Sequence, residues 1–287
     1  MDKKLYRFIG FEDFVNLMIN KKDRFAHPTS WDDKYEGFLF SHMEDEADVR
    51  NIVKIMYDIL CVGNYDAIIK NYYNLWSGKW FTYGQCWSSH KETDAMWRCY
   101  SYGNKAVRLR TTESKLLKHV KTEFPAEEKY DVCLQKVKYD LKKNNTLEQQ
   151  IVQMKVSKNP LEAYYHKRNV FSHESEYRLL VRNNQYYWFD SSSYKRAKFQ
   201  IDEEIVGKNE EEIIDMLVDE IMKYRYQWNE KIDCRDMKII DATNISEFID
   251  GVMIHPSAPD WYVSIIKDIC SLTKIKFDGK SQIYTQY

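Results

Sequence analysis

Short half-apolar runs and helical stripes alternate along this chain. Leu5 to Ile9 reads as a strand, and Phe11, Phe14, Val15 and Met18 then follow helical spacing. Arg24 to His27 reads as a second strand stopped by Pro28, and Thr29 to Gly37 as a polar loop. Val49, Ile52, Val53, Met56, Ile59 and Leu60 form an amphipathic stripe closed by Gly63, and a further helix is expected from Asn64 to Trp76, ending near Gly78. Trp80 to Trp87 reads as a buried strand. Thr93 can cap a helix with Met96, Trp97 and Tyr100 on one face, ended by Gly103.

Lys105 to Arg110 alternates as a strand, with Thr112 placed to cap a short helix, and Asp131 to Tyr139 alternates again. Leu147 to Lys167 reads as mostly helical, interrupted at Pro160. Glu176 to Val181 and Tyr186 to Phe189 suggest a hairpin around Asn183-Asn184. The last third predicts a charged helix from Glu210 to Tyr224, strands at Met237 to Ile240 and Gly251 to Ile254, a helix after Pro259 and a strand from Lys274 to Phe277. Strands and helices mix without a regular βαβ beat, no repeat stands out and no Gly/Ser/Pro linker divides the chain. These features predict an α+β fold in a single domain over residues 1–287.

Composition narrows the classes. The 43 basic and 44 acidic residues leave a net charge of −1, which argues against a whole-protein nucleic-acid or membrane-surface footprint. With 22 Tyr and 8 Trp against 9 Gly and 5 Pro, the chain is neither disordered nor of low complexity. No apolar run approaches the ~20 residues of a membrane span. The six cysteines are scattered, and no export peptide follows Met1. Reduced thiols in a cytoplasm are therefore expected. His166 and His173 have no further ligand at metal spacing, so no metal is expected.

Dinucleotide loops, P-loops, zinc helices and nucleophile elbows are missing from the sequence, and four dispersed places carry the candidate chemistry. Arg7 stands in an apolar strand, either on an exposed face or held by a carboxylate or phosphate. His27 to Glu36, with Thr29, Ser30, Trp31, Asp32 and Asp33, is either a pocket mouth or turn and cap chemistry. Cys86-Trp87-Ser88-Ser89, followed by Trp97 and Tyr100, could stack a planar ring, or Met96 and Trp97 are core. Strand alternation puts Glu174, Glu176 and Arg178 on one face: a solvated edge, or a working pair in which Arg178 keeps one Glu ionised.

The order of these motifs resembles the bacterial domain-of-unknown-function family 2971. The motifs are the Tyr6-Arg7 start, the Pro28-Thr29-Ser30-Trp31-Asp32-Asp33 loop, Cys86-Trp87-Ser88, Met96-Trp97-x-x-Tyr100, Arg108-Leu109-Arg110 and Glu174-x-Glu176-Tyr177-Arg178-Leu179. Members usually carry Asn-Asp-Pro-Phe where this chain has Trp31 to Tyr35. The resemblance extends to Gly251-Val252-Met253-Ile254 and the Ser281 region, over most of the chain.

The layout is also similar to ADP-ribosyltransferases, in which three separated strands supply His or Arg, then Tyr or Ser, then Glu. That resemblance implies a split, mostly antiparallel sheet with flanking helices, and NAD as substrate. Glu176 would stabilise the oxocarbenium-like state and bind a ribose hydroxyl, and Arg7 would grip ribose or pyrophosphate. Ser88 would orient NAD or Arg7, and Glu174, like the extra Glu of the arginine-modifying branch, would activate the acceptor. Thr29, Ser30, Trp31, Trp87, Trp97 and Tyr100 would complete the NAD site. The implied acceptor is a protein or nucleic acid, and the implied setting a bacterial toxin or anti-phage effector with a defence-system or antitoxin partner. The rival reading is a sensor domain that binds a nucleotide or phage component without turnover. A nuclease lacks a convincing acidic metal cluster.

Overall fold

Leu5 and Ile9 bury one face of the first strand, and Tyr6 and Phe8 bury the other. A strand that is apolar on both faces belongs inside a sheet covered on both sides. A computed structural model describes residues 2–33, 35–60, 65–126, 130–142, 146–153, 159–183, 205–229 and 237–285. It shows a mixed α/β protein with a large, mostly antiparallel sheet and flanking helices.

The strands are β1 (Lys4–Ile9), β2 (Lys22–Ala26), β3 (Thr82–Ser88), β4 (Val107–Thr112), β5 (Tyr130–Lys136), β6 (Lys138–Leu141), β7 (His166–Arg168), β8 (Glu176–Asn183), β9 (Met237–Asp241), β10 (Gly251–Ile254) and β11 (Phe277–Lys280). Nine of them form one sheet, and β6 and β7 form a separate parallel pair. Among the described residues, the β10–β11 contact is the one parallel pairing in the large sheet.

The sheet forks at β3. One edge of β3 pairs with β8 along its whole length. The other edge is shared: Ser88 pairs with Tyr6 of β1, and Gly84 pairs with Ala26 of β2. Side chains fill the wedge between β1 and β2. Arg7 Nη1 donates to Asp23 Oδ1 at 2.8 Å, and Gln85 Nε2 donates to Asp23 Oδ2 at 2.9 Å. Arg7 and Gln85 both also donate to the carbonyl of Arg24, and the Trp87 indole donates to Gln85 Oε1. Where the strands part, the backbone still needs partners, and these side chains supply them.

Each face of the sheet carries a core. Helices Phe11–Met18, Glu113–Glu123 and Asp260–Thr273 pack Phe14, Leu116, Val120 and Ile266 against Leu5, Trp87, Leu109 and Leu179. On the opposite face, helices Glu46–Leu60, Tyr65–Trp80 and Glu210–Asn229 enclose Ile52, Tyr72, Trp76 and Leu217, and Leu180 of β8 joins them. Among the described residues no helix is long and apolar enough to cross a membrane. Cys86, Cys99, Cys133 and Cys270 are free thiols. Cys61 and Cys234 lie outside the described residues.

Several elements differ from the sequence reading. Trp80 ends a helix rather than starting a strand, and Gly78 is buried inside that helix. The run from Asp131 to Tyr139 breaks at Val137, whose N–H donates to the carbonyl of Glu176, so β5 joins the large sheet and β6 leaves it. The long helix expected to Lys167 stops earlier. Leu147–Gln153 is helical, Pro160–Tyr165 is a 3-10 turn started by the Asn159 cap, and His166–Arg168 is a strand. Lys274 adopts the left-handed conformation that ends the last helix, which delays β11 to Phe277. Tyr186 to Phe189 lies outside the described residues.

Removing one partner of a buried ion pair leaves the other charge uncompensated. Asp23→Ala is therefore expected to cost about 3–5 kcal/mol in urea denaturation. Arg7→Met/Asp23→Leu, which removes both charges, should recover most of that loss.

Candidate functional site

A cleft of about 1040 Å³ opens over the fork. Its floor includes Gly84 and Cys86 of β3, and Arg7 and Phe8 reach it from β1. One wall is the loop after β2, and the other is formed by Lys167, Arg168, Phe171 and Glu174.

The loop is fastened by charge and by ring faces. Arg178 on β8 has no exposed surface, and its guanidinium lies 4.2 Å from the centre of the Trp31 ring. Its Nε and Nη2 donate to the two oxygens of Glu176 at 2.7 and 2.9 Å, a bidentate pair. Nη2 also meets Glu36 at 2.7 Å, and Nη1 donates to the Tyr164 carbonyl. Arg168 on β7 repeats the pattern, bonded to Asp33 at 2.9 Å with its guanidinium 4.4 Å from the Tyr35 ring. Trp31 can lie over β3 because Gly84 has no side chain; a Cβ there would come within 2.8 Å of Leu180 and 3.1 Å of Trp31.

Lys167 completes the cluster. Its ammonium lies 2.7 Å from Glu174, 2.9 Å from Glu36 and 3.3 Å from Glu176. Three carboxylates thus share two cations in a nearly dry site. Burial opposes ionisation of Glu176, but Arg178 and Lys167 outweigh it and hold its carboxyl down at about 2. Glu174 goes the other way. Burial raises it above the ordinary carboxylate value, and Lys167 offsets only part of that rise. Burial, then the Glu176 charge, pushes the Cys86 thiol well up, so it stays protonated and is no ready nucleophile.

The expected site residues fare unequally. Glu174, Trp31, Ser30 and Tyr100 line the cleft. Glu176 is ionised but only 2% exposed, with both oxygens bonded to Arg178. The expected common strand for the two glutamates fails because β8 starts at Glu176: Glu174 ends a 3-10 turn, and Ser175 between them is left-handed at φ 43°. Arg7 reaches the cleft with its guanidinium committed to Asp23 and the Arg24 carbonyl. Ser88 is buried; its hydroxyl donates to the Glu174 carbonyl at 2.6 Å and accepts from His90 N–H, so it supports the turn.

Trp87 and Trp97 are not placed to stack on a ligand. Trp87 packs in the core beneath the fork, and Trp97 sits against Phe8 with its indole bonded to Glu92. Thr29 turns to the His27 ring instead, at 2.7 Å. Sequence reasoning missed Lys167, which a helical reading had hidden at a helix end. Glu36 was read only as part of a pocket mouth or a capped turn, and its loop position gave no sign of its two cationic partners. Among the described residues no group of three or more His, Cys, Asp or Glu side chains is placed to hold a metal ion.

Residues 96–179 match the model of a family described as Protein of unknown function (DUF2971). The matched stretch runs from Met96 to Leu179, so it contains Lys167, Glu174, Glu176 and Arg178. It is narrower than the resemblance read from the motifs: Arg7, the Trp31 loop and Ser88 lie before it. No curated protein and no solved structure matches the chain.

The low value for Glu176 carries a sign. A carboxyl held near 2 in the folded state adds stability above its ordinary value of 4.5, and that contribution is lost as pH falls from there towards 2. At pH 7, Glu176→Gln should be less stable than wild type by on the order of 3 kcal/mol. In urea denaturation the gap should shrink at pH 3; a gap of constant size would mean that the carboxylate is not ionised by its partners.

Proposed function

We propose that the cleft binds NAD and transfers ADP-ribose to a macromolecular acceptor, protein or nucleic acid. One observation carries this reading: Glu174 and Glu176, two residues apart, have opposite proton affinities imposed by their surroundings. Pairs pushed apart in this way mark acid–base sites. The ADP-ribosyltransferase resemblance and the forked sheet support the same reading.

Roles then differ from the simplest transfer of the triad. Glu176 is a fixed anion whose charge is largely spent on Arg178 and Lys167. Glu174, at the cleft wall and with the higher proton affinity, is the working carboxylate. As the bond from ribose to nicotinamide breaks, its electron pair leaves with nicotinamide and positive charge grows on the sugar, which a nearby carboxylate stabilises. The acceptor nucleophile then bonds to the ribose carbon, and its proton passes to Glu174. Trp31, Tyr35 and Tyr100 offer ring faces for a base or nicotinamide. Arg24, with its side chain 43% exposed and Asp13 at 3.3 Å, is the loosest cation at the cleft among the described residues for a pyrophosphate. A role as a toxin or anti-phage effector rests on the resemblance alone.

A second reading, binding without turnover, is favoured by the sealing of Glu176 behind Arg178. Release of nicotinamide from NAD separates the two. Wild type should release it, and Glu174→Gln should lose about 10²-fold or more in rate while still binding NAD. Binding with no release by wild type, even with cell lysate as acceptor source, would leave the sensor reading standing.

A further inference from the structure

We propose that Lys167 is a positioning residue that keeps Glu174 available as the proton acceptor of the cleft. This rests on the transfer reading for its function, and on geometry for its mechanism. Arg178 reaches Glu176 and Glu36, and the cation bonded to Glu174 is Lys167. The lysine comes from β7, a three-residue strand paired with β6, and its ammonium lies 4.8 Å from the Phe171 ring centre. Its three N–H donors match three carboxylates within 3.3 Å.

The two other carboxylates facing Glu174 push it toward the neutral form. Glu176 comes from β8 and Glu36 from the loop after β2, both as like charges, and burial acts in the same direction. The hydroxyls of Tyr100, after helix Asp94–Cys99, and of Tyr139 on β6 also face the cluster; desolvation and the nearby carboxylates raise both above the ordinary phenol value, so neither adds a charge. Take Lys167 away, and burial and the two like charges would raise the proton affinity of Glu174 further. The more it holds a proton, the less it can stabilise a sugar cation or accept a proton. Lys167 therefore acts on the reaction through Glu174.

The test reads Glu174 directly. In protein carrying ¹³C-labelled glutamate, the Glu174 carboxyl signal, assigned by its loss in Glu174→Gln, is titrated by NMR in wild type, Lys167→Met and Lys167→Arg. Lys167→Met should move that titration upward by about one pH unit or more, and Lys167→Arg should restore it. The acid limb of the pH profile for nicotinamide release should move with it, lowering kcat at pH 7 with little change in KM. A packing role alone would lower activity without moving the titration. If Lys167→Met does not fold, Lys167→Met/Glu36→Gln removes one charge of each sign and carries the same test. An unchanged Glu174 titration overturns the proposal. A wild type that releases no nicotinamide overturns the transfer reading instead, and the NMR titration still decides whether Lys167 governs Glu174.

Discussion

A guanidinium with no exposed surface is costly to bury unless its donors meet carboxylates in good geometry, and Arg178 meets that condition twice over. Its two carboxylates come from different parts of the chain. Glu176 is two residues away on the same strand, whereas Glu36 must be brought in by the loop after β2. That loop also lays Trp31 on the guanidinium face. Burying Arg178 therefore fixes where one wall of the cleft stands. Lys167, drawn to the same two carboxylates and to Glu174, fixes the other.

The fork in the sheet is the second constraint, and it depends on a similar solution. Two strands that share one edge of β3 leave backbone groups without ladder partners between them. Arg7, Asp23 and Gln85 fill that space and bond to one another and to the Arg24 carbonyl. An arginine that suggested a ligand contact is thus largely spent on holding the sheet open. The cleft exists because the strands diverge, and the divergence is tolerated because a buried ion pair spans it.

Between these two polar clusters lies a division of labour among acids. Glu176 sits under the cations and stays charged. Glu174, carried past the left-handed Ser175 and braced by Ser88, sits where burial outweighs its one ion pair. Two residues of chain separate an anion pinned by two cations from a carboxyl with raised proton affinity. The difference comes from which neighbours each carboxyl meets, since the side chains are identical.

Short strand-like runs marked β1, β4 and β8 from the chain alone, although β4 runs Val107–Thr112 rather than from Lys105 to Arg110. Helical stripes likewise marked Glu46–Leu60 and Asp260–Thr273. The pairing of Arg178 with Glu176 was also legible, since both lie on one strand face two residues apart. What tertiary structure decided was every long-range charge. Nothing local to Glu36 announces Arg178, nothing near Arg7 announces Asp23, and Lys167 reads as a helix end until β6 pairs with β7. Trp87 and Trp97 carry the same rings as Trp31, yet only Trp31 lies at the cleft, because Gly84 leaves it room above β3 while the other two are enclosed in core. Local pattern determines which face of an element is buried. Only the assembled fold determines which buried charge faces which.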